Sequence, residues 1–126
     1  MFNIIFAIIT FISIINGNAL DNYLEIAGEN RPEIEIALKK VPKSQAKGLV
    51  WLISNMPNED LQTLSSDFLL NNTKLAYEAW NSSPWKNSIP ENIFLDNILP
   101  YANLNEKREE WRYRFKSSFS KNIKNA

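Results

Sequence analysis

The chain contains no cysteine and no histidine. Without a thiolate or an imidazole there is no Cys–His or Ser–His nucleophile pair and no His/Cys zinc site. No disulfide can brace the fold, which must stand on its core alone. Acid–base work is left to carboxylates, lysine, serine and tyrosine, and no two carboxylates stand out as an acid/base couple. The sequence therefore predicts no catalytic residue, no cofactor and no metal. Glycine is scarce, three in 126 residues, and only Gly28 and Gly48 lie beyond residue 19. No Asn-Gly or Asp-Gly hairpin turn occurs there, and no stretch alternates as a strand would. Net charge is absent as well. Fourteen basic residues balance 14 acidic ones, so a neutral domain has no electrostatic case for nucleic acid or an anionic membrane.

What is present begins with an apolar leader. Ile4-Ile5-Phe6-Ala7-Ile8-Ile9, then Phe11, Ile12, Ile14 and Ile15, precede Asn16-Gly17-Asn18-Ala19. Small residues at Gly17 and Ala19 suit a signal peptidase, and the run is shorter than the roughly 20 residues needed to span a bilayer. Residues 1–19 read as a signal peptide cleaved near Ala19, which makes the protein secreted or periplasmic. An uncleaved membrane anchor is the alternative, because no Lys or Arg precedes the run, and a membrane association is expected only in that case. A lipidated-cysteine anchor is excluded.

Six prolines, Pro32, Pro42, Pro57, Pro84, Pro90 and Pro100, punctuate the rest. Between them the apolar spacing is helical. A first helix over residues 20–27 can close at Gly28. Asn30 is placed to cap a second, with Pro32 in its first turn and Ile34, Ala37, Leu38 and Val41 on one face. A third runs over 43–55, with Ala46, Leu49, Val50, Leu52, Ile53 and Met56 turned inward. A brief turn covers 59–64, and Ser65 or Ser66 can cap a longer helix over 67–81. Pro90 opens a helix to Leu99, and Asn105 caps a last one over 106–121. The expected class is all-α: an irregular bundle of about five to six short helices following a signal helix.

Several side chains break the local pattern. Asn72 sits at the centre of the apolar face made by Phe68, Leu69, Leu75, Ala76, Ala79 and Trp80, where an amide needs partners; it reads as a tie to neighbouring backbone. Arg108 lies within the stripe of Leu104, Trp111, Phe115 and Phe119, with its head turned toward solvent or a nearby carboxylate. Trp51 lies opposite the apolar face of its helix, beside Lys47 and Asn55. Leu70 and Tyr77 lie opposite the apolar face of theirs. The helix over 90–99 is apolar all round, with Ile93, Phe94, Leu95, Ile98 and Leu99. Either the bundle wraps these residues on both sides or a second body covers them. Trp85, Tyr101, Trp111 and Tyr113 are read as core, with a stacking platform for a sugar or base as the alternative. The residues singled out as domain-contact or ligand-facing are Trp51, Asn55, Leu70, Tyr77, Trp85, Tyr101, Trp111 and Arg112. Glu33-Ile34-Glu35 and Glu109-Glu110 read as solvated faces.

Some short segments have a wider echo: Asn55-Met56-Pro57, Asp60-Leu61, Leu64-Ser65 and Asp67-Phe68-Leu69-Leu70, then Asn72, Leu75-Ala76-Tyr77-Glu78-Ala79 and Pro84-Trp85. They are followed by Ile89-Pro90-Glu91, Phe94-Leu95, Ile98-Leu99-Pro100-Tyr101, Asn103-Leu104 and Trp111-Arg112. In this order and spacing, from about Arg31 to Phe119, the chain resembles the N-terminal helical region of secreted bacterial transglutaminase-like superfamily proteins. The resemblance implies a papain-like catalytic domain further on, with a Cys-His-Asp triad for acyl transfer or peptide hydrolysis. None of those residues exists in this chain. The implied role for residues 20–126 is a non-catalytic helical domain that packs in front of such a domain and shapes one wall of its cleft. The partner would be that catalytic domain or another protein. A stand-alone secreted module for a peptide or glycan is the other reading.

Overall fold

The computed structural model describes residues 19–102 and 106–124, with side chains of the last helix described through residue 118. The expected signal peptide, the cap at Asn105 and the stripe position Leu104 therefore lie outside the described residues, apart from Ala19. Every regular element described is helical, so the fold is all-α as expected. The elements are α1 over residues 19–27, α2 Arg31–Lys40, α3 Ala46–Asn55, α4 Asn58–Thr63, α5 Ser66–Ser82, α6 Glu91–Ile93 and α7 Trp111–Lys124. Short 3₁₀ turns stand at Gly28–Asn30, Lys43–Gln45 and Lys86–Ser88. A π-helical turn, Phe94–Ile98, continues α6. None of the described helices is long and apolar enough to cross a membrane. The chain divides into two compact units after Leu70, inside α5.

In the first unit, glycine and proline set the joints. Gly28 ends α1 at φ 57°, a left-handed conformation that a side chain resists. Pro32 occupies the first turn of α2, where its missing N–H costs nothing. Pro57 immediately precedes α4 in an extended conformation. Helix α2 packs against α3 and α4. Ile34, Ala37, Leu49, Ile53, Leu61 and Leu69 are completely enclosed, each large aliphatic contributing about 1.5–3 kcal/mol of burial.

Two polar residues here depart from expectation. Asn30 does not cap α2 with its side chain. Its Nδ2 instead donates to the carbonyls of Leu61 (2.8 Å) and Leu64 (2.9 Å), because the C-terminal carbonyls of α4 lack helical partners and lie within reach. Glu33 is not simply a solvated acid. Its Oε2 accepts the Ser66 N–H at 2.6 Å, at the positive end of α5. Ser65 Oγ accepts the Phe68 N–H at 3.1 Å. The N-terminus of α5 is thus capped by a neighbouring residue and by a remote one.

The second unit holds the rest of α5, then α6 and α7. Tyr77, expected opposite the apolar face, is 7 % exposed. Its ring meets Phe94 edge-on at 4.7 Å, and Trp80 stacks on Phe94 at 4.3 Å. Ala79, expected in the core, is exposed instead. Around α6, Phe94, Leu95 and Leu99 are buried while Ile93 is exposed. The last helix starts at Trp111 and not at Glu106. Over 106–110 local bonds compete with the helical ladder: Arg108 donates to the Glu106 carbonyl, and the Trp111 N–H turns back to Glu109 O at 2.8 Å. Arg108 consequently stands outside the helical stripe, and the arginine that packs inward is Arg112.

Candidate functional site

The densest polar arrangement among the described residues lies in the second unit, at the C-terminal end of α6. Its origin is the π-helical turn. There the Leu99 N–H donates five residues back to Phe94 O at 2.9 Å. A helix end leaves its last carbonyls unpaired, and here four consecutive ones are taken by side chains from α5 and α7. Arg112 donates to the carbonyl of Ile98 through Nη2 and, through the same nitrogen, to Pro100 O at 3.1 Å. Asn72 Nδ2 donates to Leu99 O at 2.8 Å. Trp111 Nε1 donates to Tyr101 O at 2.7 Å.

The donors also hold one another. Arg112 Nε donates to Asn72 Oδ1 at 2.8 Å, so the amide of Asn72 both gives and accepts. The Arg112 guanidinium lies over the Trp111 ring, 4.3 Å from its centroid, a favourable cation–π placement. Burial lowers the pKa of Arg112 to about 10, and it remains a cation at neutral pH. A cation at a helix C-terminus also complements the helix dipole.

Beside this clasp runs an open groove of ≈790 Å³, bordered on α5 by Leu75, Glu78, Ala79 and Ser82 and on α7 by Trp111, Phe115 and Lys116. Lys116 Nζ reaches Glu78 Oε2 at 2.8 Å across it. That contact lowers the Glu78 pKa from its ordinary value. Phe115 meets Trp111 edge-on at 6.1 Å.

The structure brings Tyr101, Trp111 and Arg112 together. Tyr101, only 6 % exposed, joins the clasp through its backbone carbonyl, so it offers no open ring as part of a stacking platform. Trp85 is 67 % exposed in the turn before α6, and its N–H donates to Ser83 Oγ at 3.1 Å. Trp51 and Asn55 belong to α3, where Trp51 is half-buried and Asn55 Nδ2 donates back to the Trp51 carbonyl at 2.8 Å. Leu70 is half-buried on α5.

No protein-family model, curated protein or solved structure matches this chain.

Apart from Arg112 Nε, which donates to Asn72 Oδ1, the donors named in the clasp are aimed at main-chain carbonyls. The described residues contain no group of three or more His, Cys, Asp or Glu placed to hold a metal ion. The arrangement can fix α7 against α5 and α6, and it can present the groove. Asn72 was visible in the sequence as a polar residue on an apolar face. The Glu78–Lys116 pair and the role of the Leu99 carbonyl were not, since they depend on where α7 and the end of α6 lie against α5.

Proposed function

We propose that this chain is the non-catalytic helical portion of an exported transglutaminase-like protein, supporting a Cys-His-Asp acyl-transfer or peptidase domain encoded beyond residue 126. One observation carries the reading: Asn72, Trp111 and Arg112 are spent on holding four main-chain carbonyls. A clasp of this kind rigidifies a helical scaffold. The absence of cysteine and histidine fits a supporting role. The segments from Asn55-Met56-Pro57 to Trp111-Arg112 supply the family resemblance. Reading the coding DNA 3′ of the Ala126 codon tests the proposal. An open frame for a domain bearing Cys, His and Asp is the expected outcome, and its absence in every frame sinks the reading.

The groove beside the clasp favours a second reading, a secreted module that holds a peptide or glycan against Trp111 and Phe115. Thermal melts of the full chain with cell-wall glycan fragments and with apolar peptides separate the two. A concentration-dependent rise in melting temperature supports the module; unchanged melts count against it.

A further inference from the structure

The groove beside the clasp has a shallow wall on α5 and a fixed one on α7. Leu75, Glu78, Ala79 and Ser82 line it from α5, at spacings that share one helix face. Ala79 is exposed, and its single methyl leaves the middle of that face open. Trp111 and Phe115 line it from α7, 36 % and 58 % exposed. Trp111 is held by its Nε1 bond to Tyr101 O and by the Arg112 guanidinium over its ring, so this wall is preorganised.

The charge of the groove is unbalanced. Its charged lining residues are Arg112, Lys116 and Glu78, two cations against one anion. The Lys116 hydrogen bond lowers the Glu78 pKa most, and the charge of Lys74, one turn earlier on α5, adds to it. Glu109 and Glu110, just before α7, are engaged by Arg114 and Asn71. The clasp draws on Nε and Nη2 of Arg112, which leaves Nη1 over. Arg112 and Lys116 are four residues apart on α7 and so lie on the same side of it.

We propose that the groove binds a short extended peptide with an acidic side chain between apolar ones, an inference that rests on the second reading above. The peptide carboxylate takes Arg112 Nη1 and displaces Glu78 from Lys116 Nζ. The apolar side chains enter over Ala79 and against Trp111 and Phe115. The Glu78–Lys116 pair is exposed, 43 % and 60 %, and such pairs are weak enough to exchange partners. From Leu75 to Ser82 α5 extends about 10 Å, the span of about three extended residues. A sugar fits less well. Asn81 and Ser82 are the uncharged polar side chains among the described lining residues, and the Ser82 hydroxyl already donates to Glu78 O at 2.8 Å. Several pyranose hydroxyls would lose water there without gaining partners.

The test is an NMR titration of the isotope-labelled full chain with acetyl-Leu-Glu-Phe-amide, with acetyl-Leu-Gln-Phe-amide and with chitotriose. The acidic peptide is expected to shift the amides of residues 75–82 and 111–116. It should bind about two- to fivefold tighter than the Gln peptide, the range of one exposed ion pair. Glu78→Gln frees Lys116 and strengthens binding of the acidic peptide by a similar factor, Lys116→Gln shrinks the difference between the peptides, and Ala79→Phe fills the groove and abolishes both. Circular dichroism verifies that each variant folds. Equal affinity for the two peptides overturns the proposal, as does a folded Glu78→Gln protein that binds the acidic peptide no better than wild type. Shifts of these amides by chitotriose and by neither peptide overturn it while leaving the secreted-module reading in place. No shift from any of the three probes overturns both.

Discussion

Asn72 and Arg112, 40 residues apart in sequence, share one hydrogen bond and divide between them the carbonyls of Ile98, Leu99 and Pro100. Asn72 holds the middle one, and Arg112 holds those on either side. Each side chain orients the other, so neither contributes independently.

That mutual dependence makes a double-mutant cycle informative. Asn72→Leu strands the Leu99 carbonyl and removes an acceptor from Arg112, at a cost of about 1–3 kcal/mol. Arg112→Met strands two carbonyls at a similar or larger cost. Urea unfolding of the two single variants and the double variant is expected to give a coupling of about 0.5–3 kcal/mol. Strict additivity, or an Asn72→Leu protein as stable as wild type, shows that the two do not act as a unit.

Arg112→Lys tests geometry apart from charge. An ammonium lacks the planar fork that reaches Asn72 and the flanking carbonyls together. The lysine variant is expected to be less stable than wild type, with α7 amides exchanging faster in hydrogen-exchange measurements. Unchanged exchange in α7 would show that charge alone suffices.

Asn30 is predicted to matter to α4 more than to α2. Asn30→Ala releases the carbonyls of Leu61 and Leu64, costing about 1–3 kcal/mol. Asn30→Ser retains the option of an N-cap at α2 but cannot reach both carbonyls with an amide. If serine rescues stability fully, capping of α2 is the operative role.

Glu33 gives an acid-side signature. The Ser66 backbone N–H, followed by the Ser66 hydroxyl, lowers its pKa below the ordinary glutamate value of 4.5. A lowered folded-state value means the carboxylate stabilises the fold above pH 4.5, and that stabilisation fades as pH falls through the folded-state pKa. Thermal melts from pH 7 to pH 2.5 should show Glu33→Gln losing less stability over the acid limb than wild type does. Parallel curves would place the acid sensitivity elsewhere.

Gly28 isolates a backbone effect. At φ 57°, an added Cβ would meet nothing within 4 Å, so Gly28→Ala carries only the left-handed conformational cost of about 1–2 kcal/mol. Gly28→Asn should cost less, since asparagine tolerates this region better. Equal losses for the two, measured by urea unfolding, would contradict the conformational explanation.

Much of the helical plan was legible along the chain. Pro32, Pro42, Pro57 and Pro90 mark element boundaries because a missing N–H and a fixed φ act locally. Gly28 closes α1 for an equally local reason. The apolar faces of α2 and α3 follow from spacing alone, and Ile34, Ala37, Leu49 and Ile53 are enclosed as the period requires. Asn72 announced itself as a polar residue on an apolar face, which forces a demand for partners. It did not name them.

The partners were decided by tertiary structure. Asn30 had a local task open to it, capping α2, yet it serves the end of α4. Glu33 looked like a solvated acid and instead caps α5. Tyr77 sits where the period of its own helix calls for solvent, and Phe94 from α6 buries it. The start of α7 slipped to Trp111, passing the inward arginine role from Arg108 to Arg112. Periodicity describes one helix at a time. A hydrogen bond between residues 40 apart depends on where two helices meet, and local sequence carries no term for that.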